Sequence, residues 1–325
     1  MQVESTNNIT KAAELLRRLR ETIGQAMVGQ DAVVEQVIVT LIASGHALIE
    51  GVPGLGKTLL VRALAQALAL NYARIQFTPD MMPSDITGHA IMDPGTRELR
   101  VVRGPVFTHV LLADEINRAP AKTQSALLEV MQEYQVTLEG QSLILPKPFI
   151  VLATQNPVET EGTYPLPEAQ LDRFLLKVEI GYPSAEEEVA VVVRTTGNQA
   201  GDQLPLANVK PCLSERTVLG LQQIAARQRV DDQVVDYAVR IVRATRDWPG
   251  LANGAGSRGA IALVRAARVV ALLDSRDYVT PDDVKKLAIP ALRHRVGLTP
   301  DALLEGRKVA DMLASMIDSV PAPRV

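Results

Sequence analysis

Residues 51–58 read Gly-Val-Pro-Gly-Leu-Gly-Lys-Thr, and they constrain this chain more than any other stretch. The run satisfies G-x-x-x-x-G-K-[ST], the pattern of a phosphate-binding loop. Gly51, Gly54 and Gly56 let the backbone turn tightly around an anion with its amides pointing inward. Lys57 has the reach to meet β- and γ-phosphates, and Thr58 can place its hydroxyl on Mg²⁺. Val52, Pro53, Leu55 and Leu59 complete the segment that would wrap the nucleotide. Ala47-Leu48-Ile49 in front reads as a buried strand. Leu59 to Leu68 behind, rich in Leu and Ala, reads as a helix whose positive dipole end faces the phosphates. The motif therefore sits in the strand–loop–helix context that it requires.

A chain of 325 residues exceeds one ordinary core and suits two domains. With 47% hydrophobic and 22% charged residues it is a globular composition. A net charge of −3 and 3% aromatic residues argue against a nucleic-acid groove, which needs basic stripes and stacking platforms. Cys212 is the single cysteine, so no internal disulfide is possible, and it reads as an inert thiol. The four histidines, at 46, 89, 109 and 294, lack metal-ligand spacing and read as structural. The polar Met1–Thr10 stretch has no signal core, and no apolar run approaches a membrane span, so a cytoplasmic location is expected.

The spacing predicts helices over Lys11–Ala26 and Asp31–Ser44, the second ended by Gly45. Five strands are expected at Ala47–Ile49, Ala73–Phe77, Val110–Ala113, Phe149–Thr154 and Phe174–Glu179, with a helix over Thr123–Glu133. Strands alternating with helices predict an α/β fold: a parallel five-stranded sheet with helices on both faces. Two stretches interrupt the alternation. Ile86–Pro105, with Asp93-Pro94-Gly95, and Gln135–Lys147, with Glu139-Gly140, read as inserted hairpins. From Tyr182-Pro183-Ser184 onward the periodicity is helical throughout. Helices are expected over Ala185–Arg194, Glu215–Gln228, Asp232–Arg246, Arg258–Leu273, Pro281–His294 and Pro300–Ile317. Ser184 with Glu187 reads as a capping box, and Thr280-Pro281-Asp282-Asp283 as a helix start. The boundary is expected near 182, giving a nucleotide-binding domain over 1–182 and a smaller all-α lid over 183–325.

Phosphate binding alone does not make a hydrolase; a metal ligand and a group that acts on water are also needed. Val110-Leu111-Leu112-Ala113-Asp114-Glu115 offers both at the carboxyl end of an apolar strand. Asp114 would hold Mg²⁺, directly or through water, and Glu115 would polarise the attacking water.

These residues, with Ile116-Asn117-Arg118-Ala119-Pro120 and on to Gln132, resemble the MoxR family of AAA+ ATPases. Ala153-Thr154-Gln155-Asn156-Pro157 and Leu166-Pro167-Glu168-Ala169-Gln170-Leu171-Asp172-Arg173-Phe174 continue the likeness, which covers nearly the whole chain. The resemblance implies an ATP- and Mg²⁺-dependent hydrolase in a ring, expected to be a hexamer. Asn156 resembles sensor 1, an amide that holds the lytic water, although a turn-capping role before Pro157 fits it as well. Arg173 resembles the arginine finger supplied to a neighbouring subunit; its alternative is an ion pair with Asp172 or Glu168. Arg258, in Gly-Ala-Gly-Ser-Arg-Gly-Ala (254–260), resembles sensor 2, but the sequence lacks the proline that the family commonly places before that arginine. Arg118 is either another trans-acting arginine or an anchor for its loop. Val28 and Gly29 resemble the segment lining the adenine pocket.

The family implies a chaperone that remodels or activates partner proteins or assists metal or cofactor insertion, often beside a partner with a von Willebrand-type domain. A DNA-translocating motor or a metal-chelatase motor of the same clade are the alternatives. The inserted hairpins would engage the partner.

Overall fold

The computed structural model describes residues 2–92, 95, 99–158, 162–196 and 204–323. Two helices, α1 (Gln2–Gly24) and α2 (Asp31–Ile42), lead into β1 (Ala47–Glu50), the phosphate loop and α3 (Lys57–Ala67). β2 (Tyr72–Gln76) is followed by a short α4 (Pro83–Thr87) and the antiparallel hairpin β3 (Gly88–Met92) and β4 (Leu99–Arg103). Next come β5 (Val110–Asp114), α5 (Ala121–Glu133), and a second hairpin, β6 (Gln135–Leu138) and β7 (Gln141–Ile144). β8 (Ile150–Gln155), α6 (Glu168–Leu171) and β9 (Leu176–Glu179) finish the sheet.

The five sheet strands run in the order β2-β5-β8-β1-β9, with every pairing parallel. Successive side chains of a strand point to opposite faces, so each strand supplies two cores. Ile49, Leu112, Leu152 and Val178 pack with α1, α2 and α3. Leu48, Leu111, Val151 and Ala153 pack with Leu127 and Met131 of α5 on the other side. Both faces are covered, as near-continuous apolar strands require.

Both hairpins form where the sequence predicts insertions. In the second, Glu139 (φ 48°) and Gly140 (φ 76°) both take left-handed backbone, the signature of the two-residue turn that matches strand twist. Of the first hairpin's expected tip, only Gly95 lies within the described residues; Asp93, Pro94 and Thr96 lie outside them.

The C-terminal part contains α7 (Ala185–Thr196), α8 (Glu215–Ala226), α9 (Asp232–Asp247), β10 (Leu251–Asn253), α10 (Ser257–Leu273), α11 (Pro281–Lys286), α12 (Ala288–Leu292), β11 (Gly297–Leu298), α13 (Pro300–Leu304) and α14 (Val309–Ser319). It is not helical throughout: β10 and β11 form an antiparallel pair. Two expected helices are each split. Pro290 has no N–H to give the carbonyl four residues back, which separates α11 from α12 at Leu287. Gly306 (φ 70°) closes α13, with Arg307 N donating to Ala302 O at 3.0 Å, so the predicted 300–317 helix ends there and restarts at Val309. The two capping expectations hold. Ser184 N donates to Glu187 Oε2 at 2.8 Å, and Thr280 N to Asp283 Oδ2 at 2.7 Å.

Gly45 does not supply the left-handed residue that stops α2; Ser44 does, at φ 53°. Gly45 is needed for closeness instead, since a Cβ there would come within 2.7 Å of Leu175. The lid docks on the α1–α2 side of the sheet, and its buried residues on α8, α9 and α10 join the same core as Leu16, Val37 and Ile38. Among the described residues no helix is long and apolar enough to cross a membrane.

Candidate functional site

The carboxyl ends of β1, β5 and β8 lie side by side, and each delivers one part of the site. After β1, the phosphate loop turns through Gly54 (φ 86°) and Gly56 (φ 80°) into α3, whose N-cap, Gly56, has no side chain to cap the first amides. That is an anion cradle: left-handed glycines followed by a helix N-terminus. Gly51 is fixed by packing, because a Cβ would sit 2.8 Å from Ile180 O. Lys57 Nζ donates to Gly51 O at 2.7 Å, and burial lowers its pKa while Asp114 and Glu115 raise it. A half-desolvated ammonium held at the loop is suited to meeting phosphate charge.

Asp114 ends β5, buried, between two partners. Arg74 donates to Oδ2 from Nη2 (2.6 Å) and Nε (3.1 Å), and Thr154 Oγ1 donates to Oδ1 at 2.5 Å. Thr154 also accepts from Glu115 N at 2.9 Å, so one buried hydroxyl ties both carboxylate residues to β8. Glu115 takes left-handed backbone at φ 55°, an uncommon conformation for a side-chain-bearing residue. Its Oε2 accepts from Gln76 Nε2 (2.8 Å) and pairs with Arg118 Nε (2.7 Å). Between the two readings of Arg118, the structure brings it to Glu115 of its own chain.

Asn156 follows β8, buried, with Oδ1 accepting from Val158 N at 3.2 Å. The turn-capping role is thus present, at the strand end where the sensor role would also place it. Gly29 (φ 68°) lies against the lid, for a Cβ there would run into the Glu187 carboxylate at 2.2 Å. Met27 lies within 4 Å of a Cβ built on Gly56, which brings the 27–29 turn beside the phosphate loop. Thr58 sits in the first turn of α3.

The two remaining arginines are elsewhere. Arg173 precedes β9, whose Leu176 pairs with Ala47 at the start of β1, so it occupies the amino-terminal edge of the sheet. The phosphate loop leaves the opposite edge, four strand residues away, roughly 13 Å at about 3.3 Å per residue. Arg258 joins Arg173 there. Its Nη1 is 3.6 Å from Asp172 Oδ2, and both arginines line a cleft of about 330 Å³. Arg173 does not pair with Glu168, which accepts from Asn253, nor with Asp172, which is engaged by Arg258 and Arg295. Its Nε is buried without a hydrogen-bond partner among the described residues.

Residues 46–176 match the ATPase family associated with various cellular activities (AAA), and residues 243–315 match the AAA lid domain. Chaperone MoxR1 of Mycobacterium tuberculosis is 46% identical over 97% of this chain and 84% of its own length. Protein MoxR of Methylorubrum extorquens is 33% identical over 97% of each chain. This chain belongs to the MoxR family of AAA+ ATPases. A crystal structure of a candidate ATPase from Cytophaga hutchinsonii superposes with a TM-score of 0.90 at 38% identity, covering all of both chains. The MoxR family assignment agrees with the α/β sheet and helical lid described above.

Arg74, Gln76 and Thr154 were not evident as site residues from the sequence. Gln76 is opposite Asp114 in the β2–β5 register, and Thr154 lies on the neighbouring strand. Only strand pairing reveals them. The alternation Arg74-Ile75-Gln76, with Ile75 buried between two polar residues, was the available signal.

Proposed function

We propose that this chain hydrolyses ATP at a site shared between adjacent subunits of a ring, and couples the cycle to remodelling or activating partner proteins. The observation that carries the reading is the joint placement of Arg173 and Arg258 in one cleft, at the sheet edge opposite their own phosphate loop. Neither is positioned to serve the nucleotide of its own chain, whereas a neighbour's phosphates could meet that cleft.

In this reading residues 1–182 bind nucleotide and residues 183–325 form the lid. Gly51 to Leu59 wrap the phosphates, Lys57 neutralises them, and Val28-Gly29 borders the adenine. Thr58 and Asp114 would hold Mg²⁺, which neutralises phosphate charge. Asp114 would do so directly or through water: a carboxylate offers about four lone-pair sites, and Arg74 and Thr154 use three, which leaves one. Glu115 draws the proton from the attacking water while Asn156 helps hold it; the water oxygen bonds to the γ-phosphorus as the bond from that phosphorus to the bridging oxygen breaks, leaving ADP and phosphate. Gln76 and Arg118 both engage Oε2, so Oε1 is the oxygen that would take the proton. Arg173 of the adjacent subunit stabilises charge on the transferring group, an effect worth about 10³–10⁵ in other triphosphatases.

Partner engagement is assigned to the first hairpin, which exposes Ile91, Met92 and Leu99. The partner is a protein, with a von Willebrand-type domain as the first candidate, and the ring is a cytoplasmic hexamer.

Subunit exchange tests the shared site. Arg173→Ala and Glu115→Gln should each bind ATP and turn it over poorly. Mixed, they form interfaces with Glu115 from one subunit and Arg173 from the other, and turnover should return. Full activity of Arg173→Ala alone, or turnover by a strict monomer, overturns the reading.

A further inference from the structure

Arg295 is a buried cation with bonds from all three of its guanidinium nitrogens, and none of the roles above uses it. It lies in the lid, just after α12, with its side chain only 3% exposed. A guanidinium carries about five N–H groups in a rigid fork. Here Nε donates to Asp172 Oδ1 (2.8 Å) and Nη2 to Asp172 O (3.1 Å) and Phe174 O (2.6 Å). Nη1 donates to Leu175 O (3.2 Å) and to Ala291 O within the lid. Four of the five bonds to oxygen therefore fall on residues 172, 174 and 175, which bracket Arg173 on both sides, and Nη1 also lies 2.8 Å from His294 Nε2. The other oxygen of Asp172 faces Arg258. The neighbouring His294 adds a bond from Nε2 to Phe174 O at 3.0 Å, and burial holds its imidazole well below the usual pKa and therefore neutral.

We infer that Arg295 is a positioning residue: it fixes the short loop that presents Arg173 to the neighbouring subunit, and so makes the aim of that arginine depend on where the lid sits. The inference rests on the reading of Arg173 as acting in trans. The physical case is one of scale. The buried Nε of Arg173 has no hydrogen-bond partner among the described residues, so its direction depends on the backbone on either side. That backbone lies between α6 and β9, in no regular element, and the lid's guanidinium supplies the hydrogen bonds that a helix or sheet would otherwise provide. A group acting on a transferring phosphoryl loses about a hundredfold for a displacement on the order of 1 Å. A buried charge taking on this task is costly to desolvate, which a purely packing role would not require. Lysine could not substitute, because its ammonium has three donors and no planar fork.

The test compares Arg295→Gln, Arg295→Lys and Asp172→Asn with Arg173→Ala. Asp172 is a quarter exposed, so its conservative variant keeps the idea testable if the buried arginine proves necessary for folding. Each should lower turnover by roughly ten- to a hundredfold while the affinity for a fluorescent ATP analogue stays within about twofold of the parent. The double variant Arg173→Ala/Arg295→Gln should turn over no more slowly than Arg173→Ala alone, since both changes remove one function. In subunit exchange, Arg295→Gln should regain turnover with Glu115→Gln, which supplies an intact Arg173 loop, and not with Arg173→Ala. Multiplying losses in the double variant, weakened nucleotide binding, or rescue by Arg173→Ala would each overturn the inference. If Arg173→Ala itself hydrolyses normally, the trans reading fails first, and that result is visible before any Arg295 variant is made.

Discussion

Thr154→Val is the sharpest probe of the chemistry at the sheet edge, because it removes one hydroxyl and almost no volume. Thr154 is fully buried, and its single proton goes to Asp114 Oδ1 while its oxygen accepts the Glu115 amide. Valine breaks both bonds and offers nothing in return. A hydrogen bond to a charged group contributes about 1.5–3 kcal/mol, and a neutral one about 1 kcal/mol. The expected destabilisation is therefore about 2.5–4 kcal/mol. For a cooperative unit of 150–250 residues, each kcal/mol moves Tm by about 2–4 °C, so the midpoint should fall on the order of 10 °C. Turnover should fall as well, since the left-handed backbone of Glu115 loses the bond that fixes its amide. Thr154→Ser keeps the hydroxyl and loses one methyl, worth about 1 kcal/mol, and should retain most of the turnover. The assay is calorimetric unfolding beside steady-state ATP turnover for the three proteins. Valine and serine variants of equal stability, with parental turnover in both, would falsify the hydroxyl's proposed role.

Lys57→Ala should abolish nucleotide binding while Glu115→Gln keeps it and loses turnover; parental ATP affinity of Lys57→Ala by calorimetry contradicts the assignment. Replacing the first hairpin's tip, residues 93–96, by a short Gly-Ser turn should weaken partner binding and leave basal hydrolysis intact; collapse of hydrolysis with partner binding preserved would show the insertion to be structural. His46 is fully buried, donating from Nε2 to Met131 O and accepting Val151 N at Nδ1, and burial lowers its pKa to about 4. The folded value lies below the unfolded value of about 6.5, so the unfolded chain binds the extra proton and stability declines as pH falls. The slope is about 1.4 kcal/mol per pH unit between about 6.5 and 4, and denaturant midpoints of His46→Gln should show a flatter profile than the parent over that window.

The features legible in the sequence are those carried by neighbours along the chain. The phosphate loop, the Asp114-Glu115 pair, the capping boxes at Ser184 and Thr280 and the Glu139-Gly140 turn each depend on residues a few positions apart. The helix breaks at Leu287 and Gly306 were also local, yet apolar periodicity runs straight across both and hides them. Ser44 shows the opposite failure: the glycine beside it suggests the left-handed position, while contact with Leu175, more than a hundred residues away, is what Gly45 serves.

Register is the information a linear reading lacks, and it decides the site twice. Gln76 meets Glu115, and Arg74 meets Asp114, because β2 lies beside β5; nothing within either strand announces the other. The same parallel register separates Arg173 from Lys57. β9 begins where β1 begins, so a residue just before β9 and a residue just after β1 stand at opposite edges, whatever their side chains. The family resemblance assigns Lys57 and Glu115 to one subunit's nucleotide and Arg173 to the nucleotide of its neighbour, so a complete catalytic set needs all three. Parallel pairing divides that set between the two edges of the sheet, and a second copy of the chain is the economical way to bring its halves together.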